Sequence, residues 1–130
     1  MIDALIRSYY EAFNRRDWDG MCALLSEDVA HDVNQGPREI GRTAFRRFLD
    51  RMDGAYRESA RDVVIMTSGE RAAAELWIDG EYLHHEQGMP PAIGQKYTLP
   101  VGAFFEVREG RIARVTTYYN LKDWLRQVGG

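Results

Sequence analysis

Over residues 2–14 the apolar positions Ile2, Leu5, Ile6, Tyr9 and Phe13 recur every three or four residues, which predicts a helix with one apolar stripe. Asp17 can cap a second, shorter helix carrying Trp18, Met21, Leu24 and Leu25. A short strand is predicted over 29–33, and the turn residues Asn34, Gln35, Gly36 and Pro37 close it. A third helix starts at Gly41 or Thr43 and presents Phe45, Phe48, Leu49, Met52 and Tyr56 along one face. After Glu58 the spacing changes to extended, alternating runs. Segment 62–67 pairs with 71–83 across Ser68, Gly69 and Glu70, and 97–107 pairs with 112–119 across a second short break, which gives two hairpins. Between them, 84–95 holds Gly88, Pro90, Pro91 and Gly94 and follows neither period, so it reads as a lid or rim loop. Leu121, Trp124, Leu125 and Val128 predict a short closing helix.

Helices first and antiparallel strands afterwards form an α+β pattern, in which helices cover one face of a curved sheet. With 130 residues, 45% of them apolar and 12% aromatic, the chain can bury one core as a single domain spanning 1–130. Acidic and basic residues are interspersed and the net charge is −3, which argues against nucleic acid as a partner. No apolar run reaches the roughly 18 to 20 residues of a membrane span, and the first residues lack a secretory pattern. The single cysteine, Cys22, excludes an internal disulfide, and a cytoplasmic location is expected.

Three segments carry a resemblance that runs through nearly the whole chain. They are the helix end from Tyr9 to Asp17, the stretch from Glu27 to Gly36 with Glu39, Ile40 and Gly41 after it, and the last hairpin from Glu109 into Tyr118, Tyr119 and Asn120. The order and wording of these segments resemble the nuclear transport factor 2-like superfamily, in its SnoaL-like and ketosteroid-isomerase-related branch. The resemblance implies a cone in which three N-terminal helices pack on a curved, mainly antiparallel sheet that encloses a pocket. It also implies a homodimer, an apolar small-molecule ligand and chemistry that needs no cofactor. The expected activity is isomerase-like or cyclase-like proton transfer next to a carbonyl, with a non-catalytic ligand-binding domain as the alternative. Carried over by spacing, the isomerases' tyrosine falls on Tyr9, but their base falls on Val33 and their oxyanion-stabilising acid on Ala103.

The residues themselves offer His31, Asp32 and Tyr9 as catalytic groups. An imidazole titrates near neutral pH and can move a proton, Asp32 can orient it or act itself, and a tyrosine hydroxyl can donate to an oxygen. Because side chains alternate along a strand, Val33 and His31 share a face that Asp32 does not, unless a bulge re-aims it. Asp32 can equally accept backbone hydrogen bonds in the turn that follows, with His31 a wall residue. Phe13, Val33, Phe48, Trp77, Ala103, Phe105, Thr117 and Tyr119 are expected to line the pocket. Adjacent His84 and His85 point apart on an extended chain and find no third ligand at a familiar spacing, so no metal is expected.

Overall fold

A computed structural model describes residues 1–129. Its elements run α1 (Ile2–Arg15), α2 (Trp18–Ala23), β1 (Leu25–Val33), β2 (Glu39–Ile40), α3 (Arg42–Ala55), β3 (Tyr56–Ser68), β4 (Arg71–Tyr82), β5 (Gln95–Arg108), β6 (Arg111–Tyr119) and α4 (Leu121–Gly129). The six strands form one sheet in the order β2-β1-β6-β5-β4-β3. All pairings are antiparallel except that of β1 with β6, which is parallel.

Local chemistry sets the element ends. The Asp17 carboxylate accepts from the Gly20 N–H at 2.9 Å and caps α2. Arg16, in the left-handed region at φ 59°, ends α1. Three register shifts curve the sheet: one between Leu25 and Ala30, one between Arg61 and Val64 around Asp62 at φ 54°, and one between Glu106 and Val107. Each leaves unequal numbers of residues on facing strands, which bends the longer one.

The curvature gives the sheet a concave face, on which α1 packs against β3 and α4 against β5. Alternation decides what enters the core. Along β5, Tyr97, Leu99, Val101, Ala103, Phe105 and Val107 are buried, while their neighbours lie half-buried or exposed. Val64, Met66, Trp77, Phe104 and Tyr118 share the outer face and remain exposed.

Trp77 was expected in the pocket and lies outside it. Its parity is that of Glu75 and Asp79, and Arg61 stacks over its ring at 5.5 Å from the centroid while pairing with Asp79 at 2.6 Å. Ala103 and Phe105 face inward as expected but are fully buried in the core rather than lining the cavity, and α1 covers Phe105 through Tyr9 and Tyr10. Two predicted boundaries also move: β1 begins at Leu25, and β3 begins at Tyr56 without an intervening turn, while the predicted closing helix stands as α4, a fourth beside the N-terminal three.

Candidate functional site

Between the helices and the concave face lies a cavity of about 310 Å³. Its wall is chiefly apolar and aromatic, with a few polar groups, the composition of a small-molecule site. Among the predicted residues, Tyr9, Phe13, His31, Val33, Phe48, Thr117 and Tyr119 line it. Tyr10 lines it as well, although it lies outside the main stripe of α1; both tyrosines are buried, with ring centroids 5.1 Å apart.

His31 comes from the middle of β1, paired with Glu39 on one side and Val115 on the other. The residue is only 5% exposed, and its ring lies 4.4 Å from that of Phe45 and 4.6 Å from that of Phe48, centroid to centroid. Burial among these rings lowers the imidazole to about 4, with Arg51 adding to the effect and Glu39 and Asp32 opposing it. His31 is therefore neutral at pH 7, with one ring nitrogen a donor and the other an acceptor.

Asp32 is on the opposite face, which corrects its assignment to the catalytic group. Arg38 donates Nε and Nη2 to its two oxygens at 2.8 and 2.9 Å, and the Thr116 hydroxyl donates to it at 2.7 Å. These bonds, the arginine's first, hold the carboxyl at about 2, although its partial burial works the other way. No bulge re-aims it, since 30–33 pair with 114–117 in unbroken register.

Tyr9 reaches the cavity from α1 and packs edge-on to Phe105 at 5.6 Å. Burial raises its hydroxyl well above the usual tyrosine range, with Tyr10 and Cys22 adding to it, so it stays protonated and can donate.

A second polar group in the wall has no counterpart in the sequence reading. Tyr56, Tyr82, Tyr97 and Trp124 pack ring against ring, with centroids 5.2 to 6.4 Å apart. Two carboxylates sit among them. The Tyr97 hydroxyl donates to Glu58 Oε2, and the Tyr56 hydroxyl donates to Glu86 Oε1 at 2.8 Å. Burial raises Glu58 above the usual glutamate range; the Tyr97 bond opposes this and the Glu86 charge adds to it. Glu86 belongs to the irregular 83–94 segment, which is tied down where the Tyr82 hydroxyl donates to Pro90 O at 2.7 Å and accepts from the Glu86 N–H at 3.0 Å. With Glu86 and Met89 in the wall, this segment forms part of the rim. His85 Nε2 lies 3.1 Å from Met89 O. Among the described residues no three His, Cys, Asp or Glu side chains gather as a metal site would require.

The signal for Glu58 was Gly80, a glycine inside a strand, which marks a close approach. Glu58, Gly80 and Tyr97 are register neighbours across β3, β4 and β5, and the Tyr97 ring crosses over Gly80 to reach the carboxylate.

Residues 6–115 match the SnoaL-like domain. The chain belongs to the SnoaL-like family. A solved structure from Xanthomonas campestris pv. campestris, described as a putative polyketide cyclase, is 57% identical over 96% of this chain and 94% of its own, with a TM-score of 0.93. Another from Pseudomonas putida KT2440, described in the same words, is 52% identical over 95% of each chain, with a TM-score of 0.94. An NTF2-like protein of unknown function from Burkholderia pseudomallei K96243, 20% identical over 98% of this chain and 96% of its own, superposes with a TM-score of 0.79, which shows the shared cone fold. None of the curated proteins matches. No helix of this SnoaL-like chain is, among the described residues, long and apolar enough to cross a membrane.

Proposed function

We propose that this SnoaL-like protein is a cofactor-independent enzyme, polyketide-cyclase-like or ketosteroid-isomerase-like, that moves a proton next to a carbonyl on an apolar small molecule. The observation that carries the reading is a neutral imidazole facing an apolar cavity that a protonated tyrosine also lines. Removing a proton beside a carbonyl puts negative charge on its oxygen. The His31 N–H and the Tyr9 hydroxyl are donors for that oxygen, and in a dry cavity each such donor contributes about 2.7 to 4 kcal/mol to the transition state. Apolar walls hold the carbon skeleton, and no group outside the chain is needed for the step. The solved relatives described as putative polyketide cyclases support the substrate class.

Hydrogen exchange in D₂O tests this on cyclic ketones and 1,3-diketones. The protein is expected to speed deuterium uptake beside the carbonyl, and His31→Ala to slow it by about 100-fold or more. Val33 and Ala103, where isomerases carry acids, favour a second reading, a domain that binds such molecules without changing them. Tight binding with no exchange above buffer would support that domain and sink the enzyme.

A homodimer and a cytoplasmic location belong to the same proposal. The exposed Val64, Met66, Trp77, Phe104 and Tyr118 of the outer face supply an apolar surface for a second copy. Light scattering at micromolar concentration is expected to give twice 15.0 kDa, and a mass of 15.0 kDa would overturn the dimer. The lone, buried Cys22 suits a reducing compartment, which cell fractionation tests.

A further inference from the structure

We propose that Glu58 is the catalytic base of this site, taking the proton that leaves the substrate carbon. The inference rests on the proton-transfer reading and supplies what that reading lacks, since His31 and Tyr9 act there as donors.

Geometry carries it. Glu58 lies on the inner face of β3 and lines the cavity. Tyr97 anchors one of its oxygens, Oε2, and no side chain or backbone group among the described residues bonds the other, Oε1. One oxygen fixes the carboxylate's orientation and the other is left for a ligand. The anchor is built in, because Gly80 leaves room for the Tyr97 ring to cross β4. Among the described residues no arginine or lysine pairs with Glu58, in contrast to Asp32 with Arg38 and Asp53 with Arg16. The charged neighbour from the rim is Glu86, whose Oε2 lies 3.8 Å from Arg51 Nε. Tyr56 spends its proton on Glu86, while the Tyr119 hydroxyl is a further group in the wall.

Basicity points the same way. Burial raises the Glu58 carboxyl and lowers the His31 imidazole to about 4, which reverses their usual order as proton acceptors near neutral pH. An imidazole so lowered is a poor base and a good neutral donor, whereas a desolvated carboxylate gains reactivity.

The native substrate is not needed for the test. In 1,2-benzisoxazole, a base removes the proton on C3, the C–H electron pair becomes the third bond of a nitrile, the N–O bond breaks and oxygen leaves as phenolate. The product absorbs, so the rate reads directly. The protein is expected to exceed acetate at equal concentration, with kcat/KM rising through a midpoint above the usual glutamate range. Glu58→Gln, whose amide still accepts from Tyr97, should keep its melting temperature within a few degrees and lose about 100-fold in kcat/KM. Tyr97→Phe removes a bond that stabilises the carboxylate and should move the midpoint upward. An unchanged rate in Glu58→Gln with an unmoved midpoint in Tyr97→Phe would overturn Glu58 as base and leave proton transfer to another group. A wild-type protein no faster than acetate would overturn both.

Discussion

Acidification from pH 7 to pH 4 is expected to cost the protein about 3 kcal/mol of stability through His31, and His31→Phe is expected to remove most of that loss. The unfolded imidazole titrates near 6.5 and the folded one at about 4. Between these values the unfolded chain binds the proton and the folded chain does not. Stability is therefore fully present above pH 6.5 and falls as pH drops toward 4, by about 1.4 kcal/mol for each unit of separation. Asp32, also lowered, acts in the same direction but only between its usual value and about 2. Glu58, raised, acts in the opposite direction just above its usual value, so it masks part of the effect in the wild-type curve. Subtracting the curve of His31→Phe from that of the wild type, in urea melts at half-unit steps, isolates His31. Parallel curves between pH 6.5 and 4 would mean that the folded protein accommodates the charged ring. Phenylalanine suits the slot because His31 already packs against Phe45 and Phe48.

That His31 faces inward and Asp32 outward was legible from strand alternation, because β1 keeps its register with β6 at 30–33. The same rule places Trp77 outside with Glu75 and Asp79, where Arg61 stacks on its ring, so its expected place in the pocket went against its own alternation. Tyr56 shows a different limit. It continues the helical spacing of Phe45, Leu49 and Met52, yet its backbone is extended at φ −131°, ψ 153°; Gly54, two residues earlier and still helical, is the stop signal that the spacing overrode. With β3 thought to begin at 62, Glu58 fell into an unassigned gap, and its pairing opposite Gly80 could not be drawn. The fold was readable because stripes and hairpins are local. The Glu58 site was hidden because it depends on which residues meet across three strands.

Substituting Gly80 by alanine is expected to destabilise the protein by about 2 to 4 kcal/mol, more than an exposed glycine such as Gly54 would at its own position. A methyl group there would lie 2.3 to 2.5 Å from the Cζ, Cε2 and hydroxyl oxygen of Tyr97, well inside contact distance, whereas nothing lies within 4 Å of the same group at Gly54. The ring must swing away. Overpacking of this kind costs about 1 to 3 kcal/mol. The displaced hydroxyl also leaves Glu58, and a hydrogen bond to a charged group contributes about 1.5 to 3 kcal/mol. Tyr97 further abandons its edge contacts with Tyr56 and Trp124. The losses overlap, so their sum is an upper bound, and the melting temperature should fall by roughly 10 °C. A double-mutant cycle separates the losses that depend on Tyr97 from strain in the strand. In a Tyr97→Leu background the methyl group meets no ring, so Gly80→Ala should become nearly neutral, whereas in the wild type it should also carry the loss of the Glu58 anchor. An equal penalty in both backgrounds would place the strain in the strand itself and remove Gly80 from the construction of the site. The coupling matters beyond stability: if it is found, the glycine at 80 exists to let one ring cross the sheet and hold one carboxylate toward the cavity.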